Sequence, residues 1–155
     1  MTDDVNIVDE PTAAAEVLGI TDGAVVDVGG GTTGISILKD GEVIFTADEA
    51  TGGTHMTLVL AGFLKKSFEE AEEYKKDKKN ENDVFTIVKP VVQKMASIVK
   101  KYIQGYDVDK IYVVGGACCF DEFATVFKKE INVDVVKPIE PLLVTPLGIA
   151  MNCNV

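Results

Sequence analysis

The stretch Asp27-Val28-Gly29-Gly30-Gly31-Thr32-Thr33-Gly34 decides how this chain is read. One apolar run, Ala24–Val28, leads into it and another, Gly34–Lys39, leads out. Both are short, rich in β-branched residues and bounded by glycine, so both read as strands. Three consecutive glycines between two strands let the backbone turn tightly and let a ligand approach closely. A run of backbone N–H groups can form a concavity for phosphate oxygens, and Thr32 and Thr33 add hydroxyl donors. Asp27, at the strand end, is placed to hold Mg2+ directly or through its waters. A plain hairpin with flexible glycines explains the same letters, so this stretch alone leaves both readings open. It is not a Walker A loop, because no Gly-Lys-[Ser/Thr] follows.

Outward from the glycines the order of elements is legible. Pro11–Leu18 reads as a short helix ending at Gly19, with proline in a first turn that needs no N–H. Asp40-Gly41 separates Gly34–Lys39 from Glu42–Ala47, a strong hairpin signal. Gly52-Gly53-Thr54 opens a helix through about Lys66, and Phe68–Lys76 forms a second. Lys75–Asp83 is the least apolar stretch and reads as a loop. Val88, Val91, Val92, Met95, Ile98, Val99 and Tyr102 recur at helical spacing. They predict a long amphipathic helix that ends before Gly105, with Pro90 in its first turn. Lys110–Val114 is a strand, Phe120–Glu130 a helix and Val133–Val136 a strand. A proline-punctuated loop and a short helix over Leu147–Met151 complete the chain. The fold class is therefore α/β: a mixed five-stranded sheet with helices on both faces, in one domain.

Composition narrows the function. With 155 residues and 46% hydrophobic content there is enough apolar material for a real core. A net charge of −10 excludes nucleic acid as the main partner, since that affinity comes from basic residues neutralising phosphates. It does not exclude a nucleotide, which backbone N–H groups can hold. No apolar run reaches about 18 residues, so no membrane helix is expected. Met1–Glu10 is acidic and lacks a signal-peptide layout. Three cysteines, two of them adjacent, predict reduced thiols and a cytoplasmic protein. A single histidine, His55, and the absence of any CxxC argue against a Cys/His zinc site of the usual spacing, and His55 reads as a helix-start residue.

Two further glycine junctions accompany the first. Gly115-Gly116 follows a strand, where open α/β sheets put their ligands. Gly52-Gly53-Thr54 sits at a helix N-terminus, where the dipole favours anions. Taken singly, one is a simple connection and the other a helix cap. Three in one domain point to convergence on a phosphate-bearing ligand. Asp9-Glu10-Pro11-Thr12 is either a helix cap or a pair of carboxylates that order water around a metal. Glu72 and Lys75, three apart on a helix, read as a solvated ion pair. Phe120 serves either the core or a stacking surface for a base. Cys118 and Cys119 read as packed thiols, with no base nearby in sequence.

The order of motifs resembles one lobe of the actin-like ATPase superfamily, which includes actin, DnaK-class chaperones, MreB, FtsA and sugar kinases. Asp9–Ala15 (DEPTAAA) resembles the first connect motif and Val25–Ile37 the second phosphate motif. Gly52–Thr57 resembles the loop-to-helix signature, Ala71–Lys75 the purine- and ribose-contacting helix, Val113–Ala117 the adenosine motif and Thr145–Ala150 the second connect motif. Within that superfamily the DEPTAAAEVLGI–DVGGGTTGISIL run, Cys118-Cys119-Phe120 and the TPLGIAMNC end are most similar to the EutJ family, chaperone-like proteins encoded with ethanolamine-utilizing microcompartment enzymes.

The resemblance implies a ribonuclease-H-like fold and ATP or ADP with Mg2+ as ligand. Gly29, Gly30, Gly31, Thr32 and Thr33 would hold the β- and γ-phosphates, with Gly52, Gly53 and Thr54 at the same end. Asp27 would organise the waters of Mg2+, and Glu10 would position the attacking water. Gly115, Gly116, Ala117 and Phe120 would meet the adenosine, and Glu72 and Lys75 the ribose or base edge. Only one phosphate loop is present and it follows the connect motif, so the chain resembles a C-terminal lobe whose N-terminal lobe is absent. Hydrolysis is then expected only with both lobes joined. Ala117–Phe120 departs from the chaperones, which carry an arginine against adenine there. Implied partners are the other lobe, the nucleotide, ethanolamine-utilization enzymes or a second copy, with neither nucleic acid nor membrane among them. The competing readings are a non-catalytic module that contacts microcompartment enzymes or filament partners, and a fragment of an acetate or sugar kinase.

Overall fold

The computed structural model describes residues 10–116 and 120–137. The expectations for Asp9, Ala117, Cys118, Cys119, the second connect motif and the last helix lie outside the described residues.

Helix α1 (Glu10–Leu18) leads into strand β1 (Gly23–Val28), which is followed by β2 (Thr33–Lys39) and β3 (Glu42–Glu49). Asp40 and Gly41 both take positive φ, at 52° and 79°, as a two-residue turn that matches strand twist requires. Helices α2 (Gly53–Leu64) and α3 (Phe68–Lys76) follow, then a single 3-10 turn (Lys78–Asn80) and α4 (Glu81–Ile103). Ser67 opens α3 with a reciprocal cap: its hydroxyl accepts from the Glu70 N–H while the Glu70 carboxylate accepts from its own. Strand β4 (Lys110–Val114), helix α5 (Phe123–Ile131) and strand β5 (Asp134–Val136) complete the described chain.

Most boundaries shift by two residues or fewer, and three change more. The stretch read as a loop over Lys75–Asp83 is mostly helical: the Asp77 carboxylate caps a new turn by accepting from the Lys79 N–H, and the Asn80 amide ties that turn back to the Tyr74 carbonyl of α3. Helix α4 therefore starts at Glu81, and Pro90 lies in its interior rather than in its first turn. Proline there supplies no N–H to the Thr86 carbonyl. Thr86 and Pro90 both face solvent, so water can satisfy the freed carbonyl. Helix α5 begins at Phe123, not Phe120.

The five strands form one sheet in the order β3-β2-β1-β4-β5. β1 pairs antiparallel with β2 but parallel with β4, and β4 runs parallel to β5. Alternation along β1 divides the core. Ala24, Val26 and Val28 face the same side as Ile35 and Ile37, where α4 lays down Val84, Val88, Val92 and Val99. Val25 faces the other side with Leu38 and Val114, under Ala15 of α1. Helices therefore cover both faces, as the sequence predicts. No helix among the described residues is long and apolar enough to cross a membrane.

Candidate functional site

Parallel pairing of β1 and β4 builds the site. Asp27 is the register partner of Val114, so the two strands end side by side. Gly29 and Gly30 leave one strand end, and Gly115 and Gly116 leave the other. Open α/β sheets bind ligands outside such carboxyl ends. The head of α2 closes against the same turn, since the Gly53 N–H donates to the Gly29 carbonyl and the Thr54 N–H to the Gly30 carbonyl, each at 2.8 Å. The three glycine junctions thus converge, as the sequence predicts.

They border a cavity of about 670 Å³, within the usual range for small-molecule sites. Gly29, Gly30, Gly53, Thr54 and Gly116 line one end, and Glu72 and Lys75 line the α3 wall. Met56, Phe68 and Phe120 supply apolar surface. Phe120 serves the core, as one of its readings has it: it is buried and packs on Phe85 with ring centroids 5.6 Å apart, and it also lines the cavity. The remaining rim, Lys76, Asp77, Lys78 and Glu81, comes from the stretch read as a loop. Its charge density is visible in sequence, but only the turn between α3 and α4 brings it to the cavity.

Glycine is required at these junctions for different reasons. A Cβ on Gly52 would sit 2.5 Å from the Gly29 carbonyl oxygen, and one on Gly115 would sit 2.5 Å from that of Val28. Gly115 also takes φ of +98°. Backbone packing explains both. Gly30 and Gly31 differ: a Cβ on Gly30 would meet only Thr54 Oγ1 at 3.8 Å, and one on Gly31 would meet open space. Neither has positive φ. The tight turn expected from three glycines is made without left-handed backbone, and nothing in the described chain demands glycine at Gly30 or Gly31.

Several expected donors are spent on the fold. The Thr33 hydroxyl donates to the Thr51 carbonyl, because Thr33 points with Ile35 toward the α4 face. It is therefore not directed to the cavity, whereas Thr32 is exposed beside Gly31. The N–H groups of Gly53 and Thr54 serve the turn's carbonyls, so the head of α2 braces the turn instead of opening toward a ligand. His55 is exposed in the first turn of α2, as a helix-start residue.

Glu72 and Lys75 are not the solvated pair that their spacing predicts. They lie 2.8 Å apart and are mostly buried. Both engage the fully buried Thr57: Lys75 Nζ donates to its hydroxyl at 2.7 Å, and that hydroxyl bonds Glu72 Oε1. Burial pushes the Glu72 carboxyl up, but hydrogen bonds from Lys75 and Thr57 and the charges of Lys75 and Lys76 outweigh it, leaving the group below its usual value.

Asp27 is buried, partnered and outside the cavity lining. Strand alternation turns it to the Val25 face, toward α1. Pro11 packs over Gly34, the register partner of Asp27, so the start of α1 at Glu10 lies over that face. The Glu10 side chain lies outside the described residues. The glycine turn thus sits between the α3-walled cavity on one face and Asp27 on the other. All fifteen basic residues of the chain are lysines, so no bidentate arginine fork is available to an anion.

A strand-bordered cavity on which the three glycine junctions converge is the geometry the motifs predict. The family model described as type IV pilus assembly protein PilM matches residues 17–147. This chain belongs to that PilM-like family of actin-like ATPase domains. It is 45% identical over 146 residues to ethanolamine utilization protein EutJ of Escherichia coli K12, covering 94% of this chain and 52% of that protein. The crystal structure of EutJ from Carboxydothermus hydrogenoformans superimposes with a TM-score of 0.89 at 52% identity, over 94% of this chain and 55% of that one. MreB5 of Spiroplasma citri bound to AMPPNP superimposes with a TM-score of 0.80 at 15% identity, over 92% of this chain and 57% of that one, a likeness of fold. The chain spans about half the length of the curated relatives it matches.

Proposed function

We propose that this chain is the nucleotide-binding C-terminal lobe of a two-lobed actin-like ATPase of EutJ type, taking ATP or ADP with Mg2+. The observation that carries the reading is the pair of unexplained glycines. Gly30 borders a ligand-sized cavity and Gly31 follows it in the same exposed turn, and neither a positive φ nor packing within the described chain calls for glycine at either. Close approach by a phosphate chain supplies the missing reason. No hydrogen bond among the described residues uses the N–H of Gly30, Gly31 or Thr32 outside regular strands, which leaves donors for phosphate oxygens. The adenosine would lie between Gly116, Phe120 and the Glu72–Lys75 wall. The MreB5 structure with AMPPNP is a nucleotide complex of the same fold.

Mg2+ fits in one way. No cluster of three metal-ligating side chains exists among the described residues. Mg2+ usually keeps several waters and takes one or two carboxylates plus substrate phosphates, and Asp27 is the carboxylate one strand residue before the turn. When bound, the ion would neutralise phosphate charge. Hydrolysis needs Glu10 to orient water and a facing lobe to complete the first shell, so turnover belongs to the joined protein. Its service would be a chaperone-like one to ethanolamine-utilization enzymes, in the cytoplasm or a microcompartment.

The test is calorimetry with ADP and ATP in Mg2+. Gly30→Val should abolish binding while leaving the melting temperature close to wild type, because Gly30 lines the cavity and a Cβ there meets only Thr54 Oγ1, at 3.8 Å. Equal nucleotide affinity in both proteins overturns the reading. The alternative of a non-catalytic interaction module has one observation behind it, the spending of the α2 head on Gly29 and Gly30. Asp27→Ala and Glu10→Ala in the full-length protein separate the two, since a pure interaction module keeps its partner function in both variants.

A further inference from the structure

We propose that Thr57 is a positioning residue whose single hydroxyl proton couples the α3 wall of the cavity to the glycine turn. This rests on the nucleotide reading of the cavity and adds to it a link between its two ends.

The Thr57 oxygen is fully buried and within reach of three groups: Glu72 Oε1, Lys75 Nζ at 2.7 Å and the Gly53 carbonyl at 3.1 Å. An ammonium only donates, while the carboxylate and the carbonyl only accept. Thr57 has one proton, so it serves Glu72 or Gly53 but not both. Glu72 Oε1 already accepts from both Thr57 and Lys75, so a ligand hydroxyl that donates to this oxygen from the cavity competes with Thr57 for it. The Thr57 proton then turns to the Gly53 carbonyl.

That carbonyl belongs to the same peptide group as the Thr54 N–H, which donates to the Gly30 carbonyl at 2.8 Å. A hydrogen bond accepted at one end of a peptide group polarises it and strengthens the bond donated at the other. Engagement of Glu72 thus tightens the hold of α2 on the turn. The same peptide chain runs from the hydroxyl-binding wall to the phosphate-facing glycines without a gap.

Amide hydrogen exchange in the ligand-free chain tests the link. In Thr57→Val, exchange at Thr54 should stay near the wild-type rate, because in the ligand-free chain the hydroxyl proton is held by Glu72 rather than by Gly53. Glu72→Met frees the Thr57 proton for the Gly53 carbonyl, and also frees Lys75 Nζ, 3.5 Å from it, so Thr54 exchange should slow about threefold in Glu72→Met and clearly less in Glu72→Met/Thr57→Val, which keeps only the lysine. Thr54 exchange that is unchanged or faster in Glu72→Met, or that slows equally in Glu72→Met and Glu72→Met/Thr57→Val, overturns the proposal. If Thr57→Val does not fold, Glu72→Met, whose side chain is on the cavity wall, still decides. Adenosine, which lacks phosphates, gives a second arm: in the wild-type protein it should shift the amide resonances of Gly29, Gly30 and Gly31, and in Thr57→Val only those of α3. Equal shifts at the glycines in both proteins also overturn the link. Adenosine that shifts nothing in wild type counts against the nucleotide reading, and the exchange rates then decide the Thr57 proposal by themselves.

Discussion

The Thr54 N–H donates to the Gly30 carbonyl at 2.8 Å, and its neighbour Gly53 does the same for Gly29. A helix N-terminus that sequence offers as an anion site is therefore turned inward to fix the shape of the turn. Rigidity, not an open dipole, is what α2 contributes.

That bracing makes Gly52 intolerant of a side chain. A Cβ there meets two backbone carbonyl oxygens, at 2.5 and 2.6 Å, which cannot swing away as a flexible side chain can. Gly52→Ala should cost about 1–3 kcal/mol. Gly31→Ala should be neutral or stabilise by about 0.4–1 kcal/mol, because its Cβ meets open space at an ordinary φ. Urea unfolding compares the two, and equal midpoints would refute the packing account.

Acid should loosen the contact between α2 and α3. Glu72 is held below its usual value of 4.5 because Lys75, Thr57 and Lys76 outweigh the effect of burial. A carboxylate with a depressed folded value stabilises fully above its unfolded value and loses that contribution as pH falls through the folded one. The difference in urea midpoint between wild type and Glu72→Gln should stay constant from pH 7 to about 5 and shrink below about 4.5. A difference that persists unchanged to pH 3 contradicts this.

The core under α5 should be unforgiving. Phe123 is fully buried and stacks on Phe127 with centroids 4.7 Å apart. Phe123→Ala should destabilise by about 3–5 kcal/mol, with the loss read from chemical denaturation. A loss under 1 kcal/mol would mean that the α4–α5 layer repacks around the gap.

The chain alone should bind ATP weakly and release phosphate at a negligible rate, since catalysis here depends on positioning and charge from two sides. A phosphate-release assay on the purified chain is decisive. Robust turnover would show that the glycine turn has the wrong role assigned to it.

Sequence reasoning carried far along the backbone. Asp40-Gly41 named its hairpin because few other residue pairs accept two positive φ values. Helix α3 was bounded to the residue by its charge pattern and flanks, and β4 by its apolar run between polar ends. The start of α4 was missed because Lys78–Asp83 has no apolar periodicity, and Pro90 reads as a beginning when its surroundings are unknown.

What the sequence determined by itself was the order of elements, the superfamily and the three glycine corners, all of which depend on local backbone chemistry and on periodicity. Only the tertiary structure decided which donors are free. Thr33 and the head of α2 spend theirs on backbone carbonyls, and Thr57 joins Glu72 to Lys75 from fifteen and eighteen residues away in the chain. The reason is physical: a buried polar group must find a partner, and its partner is set by which chain segments the sheet brings together, which spacing along one chain does not encode.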